Sequence, residues 1–378
     1  SKKAIKCYEI VINIDPTFVQ SYHNLGLLFY KLGDKEKALN YFNKIKVINP
    51  SYANAYNNVG IIYSQLEKYK EAIDNYILCL KYDKKNNIAF NNLISMLTQF
   101  LPNINHPIVQ VSLSLKKIYD TIIIEDLLQN KNLKTYFLKI NKILNQIDNY
   151  MKVLNFSDSQ IFRRNSVNLN CKRHHKIFNK LNLIPKFCFS CFKIQIEPSC
   201  VLDLIKLFLI FDNLKLKNNN WRKCMIELRP NISGSYKGLI FCSNLAEAQT
   251  IISEVSNKIK NNLNYKLSIK RGCSEFYVSF PNFKEIDYSK KKYMTYPEKW
   301  EKLEAEYDSN IYLKNQKIAS TLPGLSISDV LTINQWLNYA DLINDKSYSK
   351  IGLNFTNSQY IINKMSTQLE YRRKQFKS

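Results

Sequence analysis

The sequence predicts an α+β multidomain chain. An N-terminal α-solenoid of repeated helix pairs is followed by a sheet domain of β-α-β-β-α-β order and a mainly helical tail. Three observations lead there. Near the start, a pattern of small and apolar residues returns after 34 positions. After residue 192 the apolar spacing switches from helical to alternating, with two helical patterns inserted between the alternating runs. The composition, 45% hydrophobic and 23% charged, is that of a globular chain rather than a disordered one.

The repeats come first. Residues 19–52, VQSYHNLGLLFYKLGDKEKALNYFNKIKVINPSY, align with residues 53–86, ANAYNNVGIIYSQLEKYKEAIDNYILCLKYDKKN. Six pairs share position and residue class: Tyr22/Tyr56, Leu25/Val59, Gly26/Gly60, Phe29/Tyr63, Ala38/Ala72 and Phe42/Tyr76. Each repeat reads as two helices and a short turn. Glycine and alanine permit close helix approach, and the aromatics fill the space between helices. One helix pair cannot bury its own apolar face, so stacking of successive pairs must supply the core. Ala4, Tyr8 and Pro16 fit the second half of an earlier repeat, which places that repeat's first helix upstream of residue 1. Residues 87–100 fit a degenerate last repeat, with Phe90 and Leu93 in register and Ile94 in place of the glycine.

Over residues 1–100 the chain resembles the tetratricopeptide repeat family. The resemblance implies a concave groove lined by the first helix of each repeat, with a peptide or protein as its ligand. Asn24, Asn58 and Asn92 recur in that helix at the repeat interval. Their pattern resembles the asparagine ladder in the repeats of O-linked N-acetylglucosamine transferases. An amide can donate to one peptide carbonyl and accept from one N–H, so such a ladder would grip an extended backbone.

Residues 101–155 continue with helical periodicity and read as a connector. Residues 156–191 form a basic, turn-rich Cys/His segment. The sheet domain spans 192–285. FKIQIEP is its first strand, and Ser199 is the expected cap of the apolar helix in SCVLDLIKLFLIFD. CMIELRP and YKGLIFC flank the turn NISGS, and a helix follows with Asn244 as N-cap and Glu247 completing a capping box. YKLSIKRG and EFYVSFP close the series as strands. The β-α-β-β-α-β order is that of a ferredoxin-like fold, which hosts many unrelated functions. The tail, 286–378, reads as helical, with Pro297 in a first turn and a basic, solvated last segment.

The chemistry concentrates in CKRHHKIFNKLNLIPKFCFSC. Cys171, His174, Cys188 and Cys191 stand at C-x2-H-x13-C-x2-C spacing. Two short-spaced pairs of soft ligands suit a tetrahedral structural zinc. His175 is an alternative to His174, and Cys224 or Cys273 is another. The competing readings are unmetallated core cysteines, since the chain also uses cysteine elsewhere, and an iron–sulfur or redox role. Arg229 and Arg271, at strand ends, would form an anion site, or close the fold through salt bridges.

Net charge is +24, which points to an anionic partner such as RNA, yet the cations are 47 Lys and only 8 Arg. SYKGLIFCSNLAEAQTII resembles the third strand and second helix of RNA-recognition-motif domains through Lys237, Gly238 and Phe241. It departs from them at Leu239, where a stacking aromatic is expected, and FKIQIEP offers no aromatic at its stacking position. No phosphate-binding glycine loop, dinucleotide fingerprint or nucleophile elbow occurs. No run of about 18 apolar residues would span a membrane. Nine cysteines without a regular framework suit a reducing, cytoplasmic setting. The sequence reads best as a cytoplasmic adaptor whose repeats bind a protein or peptide, with an α+β second domain stabilised by zinc. RNA binding by that domain, and a transferase whose repeats recruit its substrate, are the alternatives.

Overall fold

The computed structural model describes residues 2–377 apart from 123, 153, 168, 231, 285, 287–293, 310–318 and 352–357. The chain divides into two compact units. One comprises Ser1–Asp120, Ile140–Phe156 and Leu325–Ser328; the other holds Thr121–Lys139, Ser157–Gly324 and Asp329–Ser378.

In the first unit, α1 (Lys2–Ile14), α2 (Val19–Lys31), α3 (Lys35–Ile48), α4 (Ala53–Gln65), α5 (Tyr69–Tyr82), α6 (Asn87–Leu97) and α7 (Pro107–Asp120) follow one another through short turns. The repeat appears as repeated contacts. A Cβ on Gly26 would lie 2.7 Å from the Phe42 ring, and one on Gly60 would lie 2.6 Å from the Tyr76 ring. Glycine is therefore needed where α2 meets α3 and where α4 meets α5. Ala38 and Ala72 are fully buried. Tyr22 donates its hydroxyl to the Pro16 carbonyl at 3.0 Å, and Tyr56 does the same to Pro50 at 2.9 Å. Asp34 caps α3 by accepting from Lys37 N, and Asn86 caps α6 by accepting from Ala89 N, both at 3.0 Å. After α7, α8 (Ile124–Leu128) and the start of α9 (Leu133–Leu144) belong to the second unit, and the end of α9 and α10 (Asp148–Met151) return to the first. Tyr150 of α10 stacks on Phe90 of α6 with ring centroids 6.1 Å apart, and Asn155 N donates to Asn87 Oδ1 at 3.3 Å.

The second unit holds a five-stranded antiparallel sheet of order β1-β3-β4-β2-β5. Its strands are β1 (Gln160–Arg163), β2 (Phe192–Pro198), β3 (Arg222–Ile226), β4 (Tyr236–Cys242) and β5 (Tyr265–Arg271). Between β1 and β2 lie α11 (Cys171–Leu181) and α12 (Lys186–Ser190). Helices α13 (Val201–Asn213) and α14 (Leu245–Ile259) pack on the face carrying Ile194, Ile196, Gly238 and Ile240. A Cβ on Gly238 would fall 2.3 Å from Leu207 of α13, so the strand meets that helix without a side chain between. Residues alternate across a strand. The opposite face therefore carries Lys193, Gln195 and Glu197 of β2 beside Lys223, Lys237 and Lys270.

Helix α13 shows why its apolar sequence does not indicate a membrane span. Every residue from Val201 to Phe211 is buried, including Asp203 and Lys206, which face each other at 3.8 Å. Among the described residues no helix is long and apolar enough to cross a membrane.

Several expectations are corrected. The fifth strand is β1, inside the basic segment; EFYVSFP instead forms a 3-10 turn at Ser274–Tyr277. Its rings explain the change: Phe276 is fully buried in a cluster with Ile184, Cys188 and Phe283, and Tyr277 and Phe280 pack against it, a three-dimensional arrangement that a period-two strand would not build. Ser199 does not cap α13. Val201 N donates to Asp345 Oδ2 at 2.6 Å, so the cap comes from a residue 144 positions on. Asn244 does cap α14, accepting from Glu247 N at 2.8 Å, but Glu247 reaches back to Ser243 N rather than to Asn244.

The tail provides α15 (Glu298–Ser309), α16 (Ile327–Leu342), α17 (Gln359–Met365) and α18 (Leu369–Lys377). The last basic segment is not frayed. Arg372 is fully buried, and its guanidinium donates to the carbonyls of Arg229 and Ile232. Trp336 is equally buried and donates to Ser159 O at 2.9 Å.

Candidate functional site

The repeat segment positions its three ladder asparagines in one register. Asn24, Asn58 and Asn92 are half-buried, each followed by a fully buried Leu or Val. They are linked from repeat to repeat. Asn58 Nδ2 lies 3.0 Å from His23 Nε2, and Asn92 Nδ2 donates to Asn57 Oδ1 at 3.1 Å. Asn24 Oδ1 accepts from Gln20 at 3.2 Å. Burial lowers the pKa of His23, which favours the neutral ring that can accept from Asn58. The stitching between helices was not foreseen; the spacing of 34 gave its place but not its partners.

The cysteine corner is assembled from three segments of the second unit. Cys171 opens α11 and is exposed as a residue, although burial around its thiol raises its pKa. Cys188 lies in α12, and Cys191 follows at its C-terminus. Cys273 follows β5. The pairing of β2 with β5 sets Phe192 opposite Arg271, and Gly272 N donates to Cys191 O at 2.9 Å. A Cβ on Gly272 would lie 2.6 Å from Cys191 Sγ, so a side chain there would have to displace the Cys191 thiol. Cys273 therefore emerges beside Cys191 and Cys188. The Cys188 thiol hydrogen-bonds Cys273, which raises the pKa of Cys188 together with burial and lowers that of Cys273. Burial, with the nearby Cys273 and Cys171, pushes the Cys191 thiol up to about 12. One ligand atom each of His175, Cys273 and Glu275 lies within 4.8 Å of the others.

His174 stands elsewhere. It is buried, and its ring stacks on Phe187 at 5.2 Å between centroids. Burial, helped by Arg173, lowers its pKa to about 4. Helix periodicity explains the swap. On α11, His175 follows Cys171 by four residues and shares its face, while Arg173 pairs with Glu304 at 2.8 Å and with Asp308 of α15.

Arg229 and Arg271 are engaged in the fold rather than in an anion site. Arg229 Nε donates to Glu227 Oε1 at 2.9 Å. Burial alone would raise the pKa of Glu227, but hydrogen bonds from Arg229 and Lys237 outweigh it and bring it to about 2. Arg271 is buried among the rings of Phe189, Phe192 and Phe283 and donates to Phe189 O at 2.7 Å. Lys193 donates to Gly272 O and Lys223 to Gln160 Oε1, both at 2.9 Å. Burial lowers the pKa of Lys223 to about 8.

Phe241 is half-buried, whereas Leu239 is covered. Phe241 lines a cavity of about 340 Å³ with Phe187, Cys191, Asn220, Trp221 and Glu247. The aromatic expected as a stacking platform is thus a wall of a recess at the end of the sheet.

Comparisons with known proteins concern the first unit. Tetratricopeptide-repeat family descriptions match residues 2–33, 19–52 and 53–86. No curated protein matches the chain significantly in sequence. Among solved structures, the first repeat domain of Spaghetti (RPAP3) bound to an HSP90 peptide is 27% identical, covering 24% of this chain and 73% of that one at a TM-score of 0.24. YrrB, described as a repeat protein with an unusual peptide-binding site, is 22% identical, covering 39% and 74% at 0.25. An O-GlcNAc transferase of Thermobaculum terrenum is 20% identical, covering 30% and 22% at 0.25. Residues 2–86 are a segment of tetratricopeptide repeats.

Proposed function

We propose that this chain is a protein-interaction scaffold whose repeat segment captures an extended peptide along its asparagine ladder. The supporting observation is the common register of Asn24, Asn58 and Asn92, with Asn58 and Asn92 each linked to a residue of the repeat before. With each amide donating sideways, the oxygens of Asn58 and Asn92 accept no hydrogen bond among the described residues. Each remains positioned to accept from a peptide N–H. The α+β unit is the second module. A ferredoxin-like reading of it is supported by the β2-α13-β3-β4-α14-β5 succession and by the order β3-β4-β2-β5 within the sheet.

The test uses a displayed library of unstructured peptides, selected on the full chain. Asn58→Ala should weaken the selected peptides by about 2- to 10-fold, the equivalent of one hydrogen bond, in a variant that keeps its helical signal although it loses the bond to His23. Unchanged affinity in a folded variant, or cross-links from the peptide only to residues 157–378, would overturn the proposal.

A further inference from the structure

We infer that the recess at the end of the sheet binds a small quaternary ammonium group, held by the Glu247 carboxylate against the rings of Phe187, Trp221 and Phe241. The recess lies within the second unit, and the inference does not rest on the repeat groove.

The cavity, about 340 Å³, stands at the lower end of the range for small-molecule sites. The fold positions its walls. Phe241 N donates to Trp221 O at 2.8 Å, so the two side chains leave neighbouring strands at the same level. Trp221 Nε1 donates to Asn165 Oδ1 at 2.9 Å and to Val167 O at 3.0 Å, which fixes the indole by its edge. Phe187 enters from α12, steadied by the His174 ring stacked on it.

Among the described residues Glu247 is the only charged one that lines the recess. Its hydrogen-bond partners are all neutral. Oε1 accepts from Asn218 Nδ2 at 2.8 Å and from Asn220 Nδ2 at 2.9 Å, and Oε2 accepts from Ser243 N at 2.6 Å and from Ser243 Oγ at 2.9 Å. Partial burial would raise its pKa, but the bonds from Asn220, Ser243 and Asn218 outweigh it and lower the value, so the group is an anion at neutral pH. No lysine or arginine pairs with it among the described residues, in a chain of net charge +24. Two neighbouring cations are turned elsewhere. Arg164 lies over the Trp221 ring at 5.6 Å without lining the recess, and Lys193, across from Phe241, donates to Gly272 O.

The kind of cation follows from the same bonds. A carboxylate has about four lone-pair sites, and four donors already occupy this one. It can attract a further charge but offers little to a new N–H. A primary ammonium or a guanidinium would give up hydrogen bonds to water there and regain few. A quaternary ammonium has no N–H to satisfy, and its methyl groups carry the charge onto aromatic faces.

The experiment titrates the purified full chain by calorimetry and by tryptophan fluorescence. The probes are choline, its neutral isostere neohexyl alcohol, and its unmethylated counterpart ethanolammonium. Choline should bind about 10-fold more tightly than either. Glu247→Gln should weaken choline by about 10-fold and leave neohexyl alcohol unchanged. Trp221→Phe keeps an aromatic wall, so choline should still bind by calorimetry while the fluorescence response disappears. Where Glu247→Gln does not fold, the three probes on the wild-type chain still decide. Four results would overturn the site: no choline binding at millimolar concentration, neohexyl alcohol or ethanolammonium bound as tightly as choline, a folded Glu247→Gln variant that binds choline as the wild type does, or a fluorescence response that survives Trp221→Phe.

Discussion

In the repeat segment each important contact is made twice. Tyr22 reaches Pro16 as Tyr56 reaches Pro50, and Gly26 admits Phe42 as Gly60 admits Tyr76. Partners within a repeat are sixteen residues apart, the tyrosine-to-proline bonds reach six residues back across each repeat boundary, and neighbouring repeats add links at about 35, as between His23 and Asn58. The α+β unit works in the opposite way. Arg163 of β1 donates to Asp329 and Gly324, Arg372 to Arg229 and Ile232, and Trp336 to Ser159. Each of these contacts occurs once and joins residues more than 130 positions apart. A solenoid distributes its stability over equivalent local interfaces. A sheet domain closed by its own tail concentrates stability in a few buried polar clasps, where losing one partner strands the other.

The sharpest way to break this contrast is Arg163→Ala. It would leave the buried carboxylates of Asp212 and Asp329 without their cation. The expected loss is about 3–5 kcal/mol. All three tryptophans, Trp221, Trp300 and Trp336, lie in the second unit, so fluorescence reports that unit's unfolding. The tryptophan transition should move to lower urea, with the helical signal of the repeats persisting beyond it. A repeat segment that melts in step with the tryptophans would contradict the division of stability.

A smaller effect is expected at the repeat glycines. Gly60→Ala would push a methyl into the Tyr76 ring, for a cost of about 1–3 kcal/mol. Gly26→Ala meets Phe42 at nearly the same distance and should cost the same. Calorimetric curves that differ clearly between the two would mean that the interfaces are not equivalent. The smallest change sharpens the same point. Tyr56→Phe removes one hydroxyl-to-carbonyl bond, worth about 0.5–1.5 kcal/mol, and Tyr22→Phe should match it. A tenfold disparity in their unfolding constants would break the symmetry.

The difference between the units also governs what could be read in advance. The repeat helices, the Gly/Ala approaches and the ladder register were legible because a local period carries them. The succession of strands and helices from β2 to β5 along the chain and the cap at Asn244 were legible for the same reason. EFYVSFP misled because its alternation was outweighed by burial of Phe276 in an aromatic cluster with Phe283. Ser199 misled because Asp345 supplies the bond at the start of α13. The basic end of the chain looked solvated because nothing near it in sequence announces the carbonyls of Arg229 and Ile232 that hold Arg372.

The amino-acid sequence by itself determined the secondary structure of the solenoid, the register of Asn24, Asn58 and Asn92, and the C-x2-C pair at Cys188 and Cys191. Those follow from helical periods and short spacings, which act within a few turns of chain. Tertiary structure alone decided that His175 rather than His174 stands at the corner, because helix phase and the pull of Arg173 toward α15 turn one ring in and the other away. It also decided that Cys273 stands there, because only the pairing of β2 with β5 brings a residue 82 positions beyond Cys191 against it.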